Sequence, residues 1–352
     1  MAKKTATRKK AARKPERLRI LSIDGGGIRG ILPGQILVKL EAILQKQSND
    51  PDARIADYFD LVAGTSTGGI LACALLCPED PANAASRPKY SAQDAVDIYL
   101  ERGDDIFDVS LWESVWSGGG VLDEKHDAAE LEEALQDFMG DTKLSQLLKP
   151  CLVTAYDIKR RCPFFFRQHR AIARNSYDFL VRDVCRSTSA APTFFEAARV
   201  KSMTSITYPL IDGGVFANNP AMCAFTDARS EQVFGKRAAQ DMIMLSIGTG
   251  GVKKGYPYRK AKDWGKAEWI VPMIDILMTG NSDTVRFQIQ HIFEADKVEN
   301  QYLRIDPDLR DASPEMDNAS QENLLALKEA GTEAAQDHEE ELETFAKLLI
   351  AP

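Results

Sequence analysis

The chain has 352 residues, with 44 Lys and Arg against 52 Asp and Glu, a formal net charge of −8. An apolar share of 44% and a charged share of 27% exclude a mostly disordered chain. The acidic balance excludes duplex nucleic acid as the main partner, because that requires a broadly basic face. The length allows about two domains, or one large α/β domain with an appendage.

The first 17 residues, MAKKTATRKKAARKPER, hold eight Lys or Arg and one acid, Glu16. This basic tail has no apolar periodicity and is expected to be disordered, either simply solvated or drawn to an anionic surface such as lipid headgroups. It lacks the apolar core of a secretory signal. No later run approaches the roughly 20 apolar residues of a membrane-spanning helix. The longest, 64–77 and 269–280, fall short, and Asp275 interrupts the second. The reading is a cytoplasmic protein. Six cysteines, at positions 73, 77, 151, 162, 185 and 223, form no C-x-x-C pair. The four histidines (His126, His169, His291, His338) cluster neither with them nor with one another, so reduced thiols are expected rather than a zinc site or a disulfide framework.

Regular structure begins at Leu18. LRILSI is of strand length and ends at Asp24 and three glycines; Ile36, Leu40, Ile43 and Leu44 then recur at helical spacing. A second strand, FDLVAG, runs into TSTGGILACALLC as strand, tight turn and helix. Residues 78–87 read as a loop. Helices over 92–102 and 128–138 flank a segment with Trp112, Trp116 and the glycines 118–120. Further strands are predicted over 151–155, 208–211 and 242–247, and an acidic helical region runs from Asn323 onward. Strands alternating with helices predict an α/β fold, with a mainly parallel central sheet flanked by helices.

Three segments carry the chemistry. In Gly64-Thr65-Ser66-Thr67-Gly68 a strand turns sharply into a helix, which would lift Ser66 to the top of the sheet and place it at a helix N-terminus that favours a developing anion. Gly64 and Gly68 give that elbow room. In Asp24-Gly25-Gly26-Gly27-Ile28-Arg29-Gly30, successive backbone amides can form a concave nest for an oxyanion, with Arg29 adding positive charge or bracing the loop. The same stretch matches the dinucleotide fingerprint G-x-G-x-x-G at Gly25, Gly27 and Gly30. A dinucleotide site expects an acid closing the second strand, where this chain has a serine elbow instead, so an oxidoreductase is the alternative reading. In YPLIDGGVFANNPA, Asp212 closes a strand, which would put it at the sheet edge that also carries Ser66. Asn219 before Pro220 reads as a helix N-cap.

DGGGIRG, GTSTGG and DGGVFANNP, in that order, resemble the patatin-like phospholipases and lipid acyl hydrolases, and the blocks RSTSAAPTFF (186–195) and LSIGTG (245–250) agree with bacterial members. The resemblance covers about 18–250 and implies a three-layer α/β/α catalytic domain there. That leaves the tail 1–17 and a mostly helical extension, 251–352, packed on the same domain. It implies Ser66 as nucleophile, Asp212 as its partner in a dyad, and Gly25, Gly26, Gly27 and Arg29 as the oxyanion hole, with no metal and no cofactor. The implied reaction is cleavage of fatty-acyl esters of phospholipids at a membrane surface, the inner membrane in a bacterial cell. Chain order also permits a triad through His291 or His338. Segment 104–122, with its tryptophans and glycines, is a candidate lid.

In length and block spacing the chain is similar to bacterial members that act in antiviral defence and are activated by a cyclic oligonucleotide. The Lys, Arg and Tyr residues of 253–262 are candidate contacts for a cyclic di- or oligonucleotide. An ungated general lipase or esterase, a catalytically idle scaffold, and a homo-oligomer are the further alternatives.

Overall fold

A computed structural model of the protein describes residues 17–83, 85–106, 128–230, 233–251, 255–266 and 268–351. Among the described residues eight strands form one sheet: β1 (Leu18–Ile23), β2 (Leu61–Thr65), β3 (Cys151–Asp157), β4 (Cys162–Arg167), β5 (Ala198–Lys201), β6 (Thr207–Asp212), β7 (Met242–Ile247) and β8 (Tyr302–Ile305). Their order is β5-β6-β3-β2-β1-β7-β8, with β4 also paired to β3. The β1–β2, β1–β7, β2–β3 and β7–β8 pairs are parallel, and β3–β4, β3–β6 and β5–β6 are antiparallel. Strands β2 and β7 are buried at every position, as central strands covered on both faces must be, which explains their unbroken apolar runs.

Alternate side chains feed two cores. Leu21, Ile23, Val62, Ile243, Leu245 and Ile247 face helices α1 (Ile31–Ser48), α2 (Thr67–Leu76), α3 (Ala92–Ile106), α4 (Ala128–Met139) and α5 (Val181–Thr188). Ile20, Leu61, Ala63, Met242 and Met244 face α6 (Ala221–Ala228) and α7 (Ile270–Ala295). Outside α1 lie α8 (Gln321–Asp337) and α9 (Glu339–Ile350), which bury Leu327, Ala330, Leu342, Phe345 and Leu349 in the first core. The acidic region from Asn323 is thus two helices, broken at His338. Among the described residues no helix is long and apolar enough to cross a membrane.

One feature of register sets where the chain leaves the sheet. A strand has two hydrogen-bonding edges, and β4 occupies one edge of β3 from Leu152 to Asp157. Strands β2 and β6 therefore share the other edge: β2 pairs with residues 151–154, and β6, running the opposite way, pairs with residues 155–157. Their carboxyl ends meet head-on. Thr65 sits opposite Thr154 and Asp212 opposite Ala155, so each chain must turn out of the sheet at that point.

Residues beyond 250 are built into this frame. Strand β8 extends the sheet beside β7, and Arg304 reaches across Ser246 (2.9 Å) to grip both oxygens of Asp24 at 2.9 and 2.7 Å. Both side chains are buried. Burial pushes the Asp24 carboxyl up to about 6, against the pull of the Arg304 guanidinium. Removing one member of such a pair strands a desolvated charge. Arg304→Met is expected to lower unfolding free energy by about 3–5 kcal/mol in urea titrations, and adding Asp24→Asn to recover much of that loss.

Candidate active site

Ser66 is the first residue past β2 and holds φ 54°, ψ −125°, a conformation that a residue with a Cβ adopts only under constraint. The constraint is visible. Its N–H donates to the Thr188 hydroxyl (2.8 Å), which in turn donates to the Thr154 carbonyl (2.6 Å). At Gly68, in the first turn of α2, a Cβ would stand 2.3 Å from the Ile23 carbonyl oxygen, so only glycine lets this helix lie against β1. Gly64 meets the same helix from the strand side, against the Gly68 backbone.

Asp212 ends β6 and is buried. One carboxylate oxygen accepts the Gly214 N–H at 2.6 Å, and Ser66 lines the same cavity beside it. Burial drives its pKa from the usual carboxylate range up to about 7, and the polar groups of Ser66 and Gly214 only partly offset the loss of solvent. The two residues meet for a reason other than a shared strand direction: β6 runs opposite to β2 and delivers Asp212 from the far side. None of the described histidines completes a triad. His291 is exposed on α7 against the Phe287 carbonyl, His338 pairs with Glu341, and His169 faces Asp227. His126 lies outside the described residues.

The glycine loop divides its labour unevenly. The Gly25 N–H already donates to the Asn218 carbonyl at 3.1 Å, which corrects its expected place among the oxyanion donors. The amides of Gly26 and Gly27 have no acceptor among the described residues, and both glycines line the cavity that holds Ser66 and Asp212. Arg29 does not line that cavity; buried, it donates to the Gly26 carbonyl (3.3 Å) and the Gly250 carbonyl (3.1 Å) and braces the loop from behind. Desolvation lowers its pKa to about 10, so it keeps its charge at neutral pH. The dinucleotide reading fails sterically. The Ile28 N–H is taken by the Met316 carbonyl (2.8 Å), and that carbonyl lies over Gly27, where a pyrophosphate would have to approach.

The cavity walls are largely apolar: Ile70, Phe194, Phe195, Ile274, Leu277 and Met278 are among them. Two come from RSTSAAPTFF, a block quoted above without a role, and three come from α7, which carries no motif. Helix α7 also pins the loop behind Asp212. Asn281 donates to the Phe216 carbonyl (2.9 Å) and accepts from the Asn219 N–H (3.1 Å), while Ser282 donates to Asp24 (3.3 Å). Asn219 accepts the Ala221 N–H (3.0 Å), with α6 starting one residue later than expected. The lid segment from Phe107 to Leu122 lies outside the described residues, as do Lys253 and Lys254. Of the other candidate nucleotide contacts, Tyr256, Tyr258, Arg259, Lys260 and Lys262 are exposed just before α7; Tyr256 bonds Asp275 and Lys262 bonds Asp263.

Comparison with known proteins assigns the chain to a family. The family model for patatin-like phospholipases covers residues 21–225. Patatin-like protein 4 of Arabidopsis thaliana is 35% identical over 331 residues, spanning 89% of this chain and 82% of the relative. Patatin-like protein 3 of the same plant is also 35% identical, over 89% of this chain and 79% of the relative. Patatin group J-1 of Solanum tuberosum is 34% identical over 95% of this chain and 90% of the relative. With its elbow, buried carboxyl and glycine nest drawn into one cavity, the chain belongs to the patatin-like phospholipases, a family of lipid acyl ester hydrolases.

Proposed function

We propose that the protein hydrolyses fatty-acyl esters of membrane phospholipids with Ser66 as nucleophile, Asp212 as general base and the Gly26 and Gly27 amides as oxyanion donors. The observation that carries this reading is that Ser66, a desolvated Asp212 and two amides with no acceptor among the described residues share one largely apolar cavity. Asp212 takes the Ser66 proton as the hydroxyl oxygen attacks the acyl carbonyl, and the oxyanion forms against the two amides. Collapse breaks the ester C–O bond, and Asp212 returns the proton to the departing lysolipid alkoxide. Water, deprotonated by Asp212, then attacks the acyl-enzyme; the fatty acid leaves and Ser66 regains its proton. A carboxylate near its ordinary pKa is a weak base for this work. One raised to about 7 sits close to the working pH, where general-base catalysis is most effective.

The substrate supports a membrane surface as the partner. Leu277 is exposed yet lines the cavity, and Met273 and Ile276 are exposed beside it on α7. Exposed Trp269 packs edge-on against Trp264 at 4.9 Å, and Tyr258 with Arg259, Lys260 and Lys262 precedes them. Aromatic and basic residues around an apolar face suit the headgroup region of a bilayer.

Four experiments test this. A serine-directed fluorophosphonate should label the wild-type protein and not Ser66→Ala, and Ser66→Ala and Asp212→Asn should each lose phospholipid hydrolysis by about a thousandfold or more. The same assay with and without a cyclic dinucleotide separates a gated from an ungated hydrolase. Because the base must be unprotonated, kcat/KM should fall about tenfold per pH unit below about 7 and level off above it. Ile276→Glu with Met273→Glu should reduce co-sedimentation with phospholipid vesicles, and should lower vesicle hydrolysis more than hydrolysis of a soluble short-chain ester.

A further inference from the structure

The LSIGTG block follows β7 into the turn Gly248-Thr249-Gly250, and the mechanism above gives it no task. Thr249 is buried, and its hydroxyl donates to the Gly25 carbonyl at 2.6 Å, the shortest of the bonds to this loop. The contact is built for close approach: a Cβ at Gly26 would stand 2.3 Å from the Thr249 hydroxyl oxygen, so residue 26 must be glycine for the threonine to lie there. The Gly25 carbonyl belongs to the same peptide unit as the Gly26 N–H, one of the two unpartnered amides of the cavity. Its neighbour is treated alike, since the Gly26 carbonyl, in one peptide with the Gly27 N–H, accepts from Arg29 at 3.3 Å.

A donor on the carbonyl of a peptide withdraws electron density and makes its N–H a stronger donor, an effect that grows in a desolvated site. It also fixes the plane of the peptide, and preorganised donors are what an oxyanion hole requires. We propose that Thr249 is a positioning residue for the oxyanion: its hydroxyl holds and polarises the Gly25–Gly26 peptide so that the Gly26 N–H meets the charge that develops on the acyl carbonyl oxygen. Asn218, whose side-chain amide reaches the same carbonyl at 3.3 Å, is the weaker second support. The inference rests on the reading of Ser66 and the glycine amides as the reacting centre.

A brace that only shaped the cavity would affect substrate and transition state alike, and the test separates the two. Thr249→Val removes the hydroxyl and keeps the volume; Thr249→Ala removes it without crowding, should valine impair folding; Thr249→Ser restores it. Both hydroxyl-free variants should lower kcat by about 10- to 100-fold, less than the loss of an oxyanion donor outright, with KM moving less than about twofold. Serine should recover most of the rate. Affinity for a lipid-like trifluoromethyl ketone, which forms an oxyanion adduct with the nucleophile, should fall in step with kcat/KM, while affinity for a non-hydrolysable ether analogue stays level. Unchanged kcat, parallel losses for ketone and ether analogue, or failure of serine to restore the rate at a wild-type melting temperature would overturn the proposal. If wild-type protein fails to label at Ser66, the underlying reading falls instead; labelling at Ser66 with an unaffected Thr249→Val sinks only the role of Thr249.

Discussion

Two strands of opposite direction end against one another on a single edge of β3, and the site is what the collision produces. Neither chain can continue. Past Thr65 the backbone leaves the sheet through the strained Ser66 turn into α2, and past Asp212 it leaves through Gly213 and Gly214. The two turn residues are separated by 146 positions in sequence, yet Asp212 is held in the ladder opposite Ala155 and Ser66 directly follows Thr65, the last paired residue of β2. Register alone thus brings the two residues together, and none of the described histidines joins them.

The same arrangement removes Asp212 from water. A shift from 3.8 to about 7 corresponds to about 4 kcal/mol of unfavourable charge burial at neutral pH. Because the folded-state pKa lies above the unfolded value, the proton-linked stabilisation is complete below the ordinary carboxylate range and is lost as pH rises through about 7. At neutral pH and above, this residue therefore lowers stability most. The cores on the two faces of the sheet offset that local cost.

Much of this is legible in sequence, and the rest is hidden for a definite reason. Buried parallel strands are nearly continuous apolar runs, so LRILSI, FDLVAG and MIMLSI declare themselves, and glycines that permit close approach stand out beside Ser66. Edge strands β5 (ARVK) and β8 (YLRI) are short and carry charged residues, so their pattern does not rise above that of a loop. The aromatic β4 follows β3 after a tight turn, but nothing in CPFFFR says which edge it takes, and that choice forces β2 and β6 together. Ownership of a backbone amide is equally non-local. The capture of the Gly25 N–H by Asn218, the grip of Thr249 on the Gly25 carbonyl, and the bonds from Asn281 and Ser282 join residues from about 60 to more than 200 positions apart. Motifs locate the reacting groups; the groups that orient them are found only once the chain is folded.

The ion pair between Asp24 and Arg304 spans 280 positions, and it bears on the order of events during synthesis. The glycine loop and the serine leave the ribosome well before the guanidinium that anchors the loop and the helix that supplies part of the cavity wall. The carboxyl of Asp24 has no partner guanidinium until Arg304 has been made, so the finished cavity is a product of the folded chain and not of its early segments.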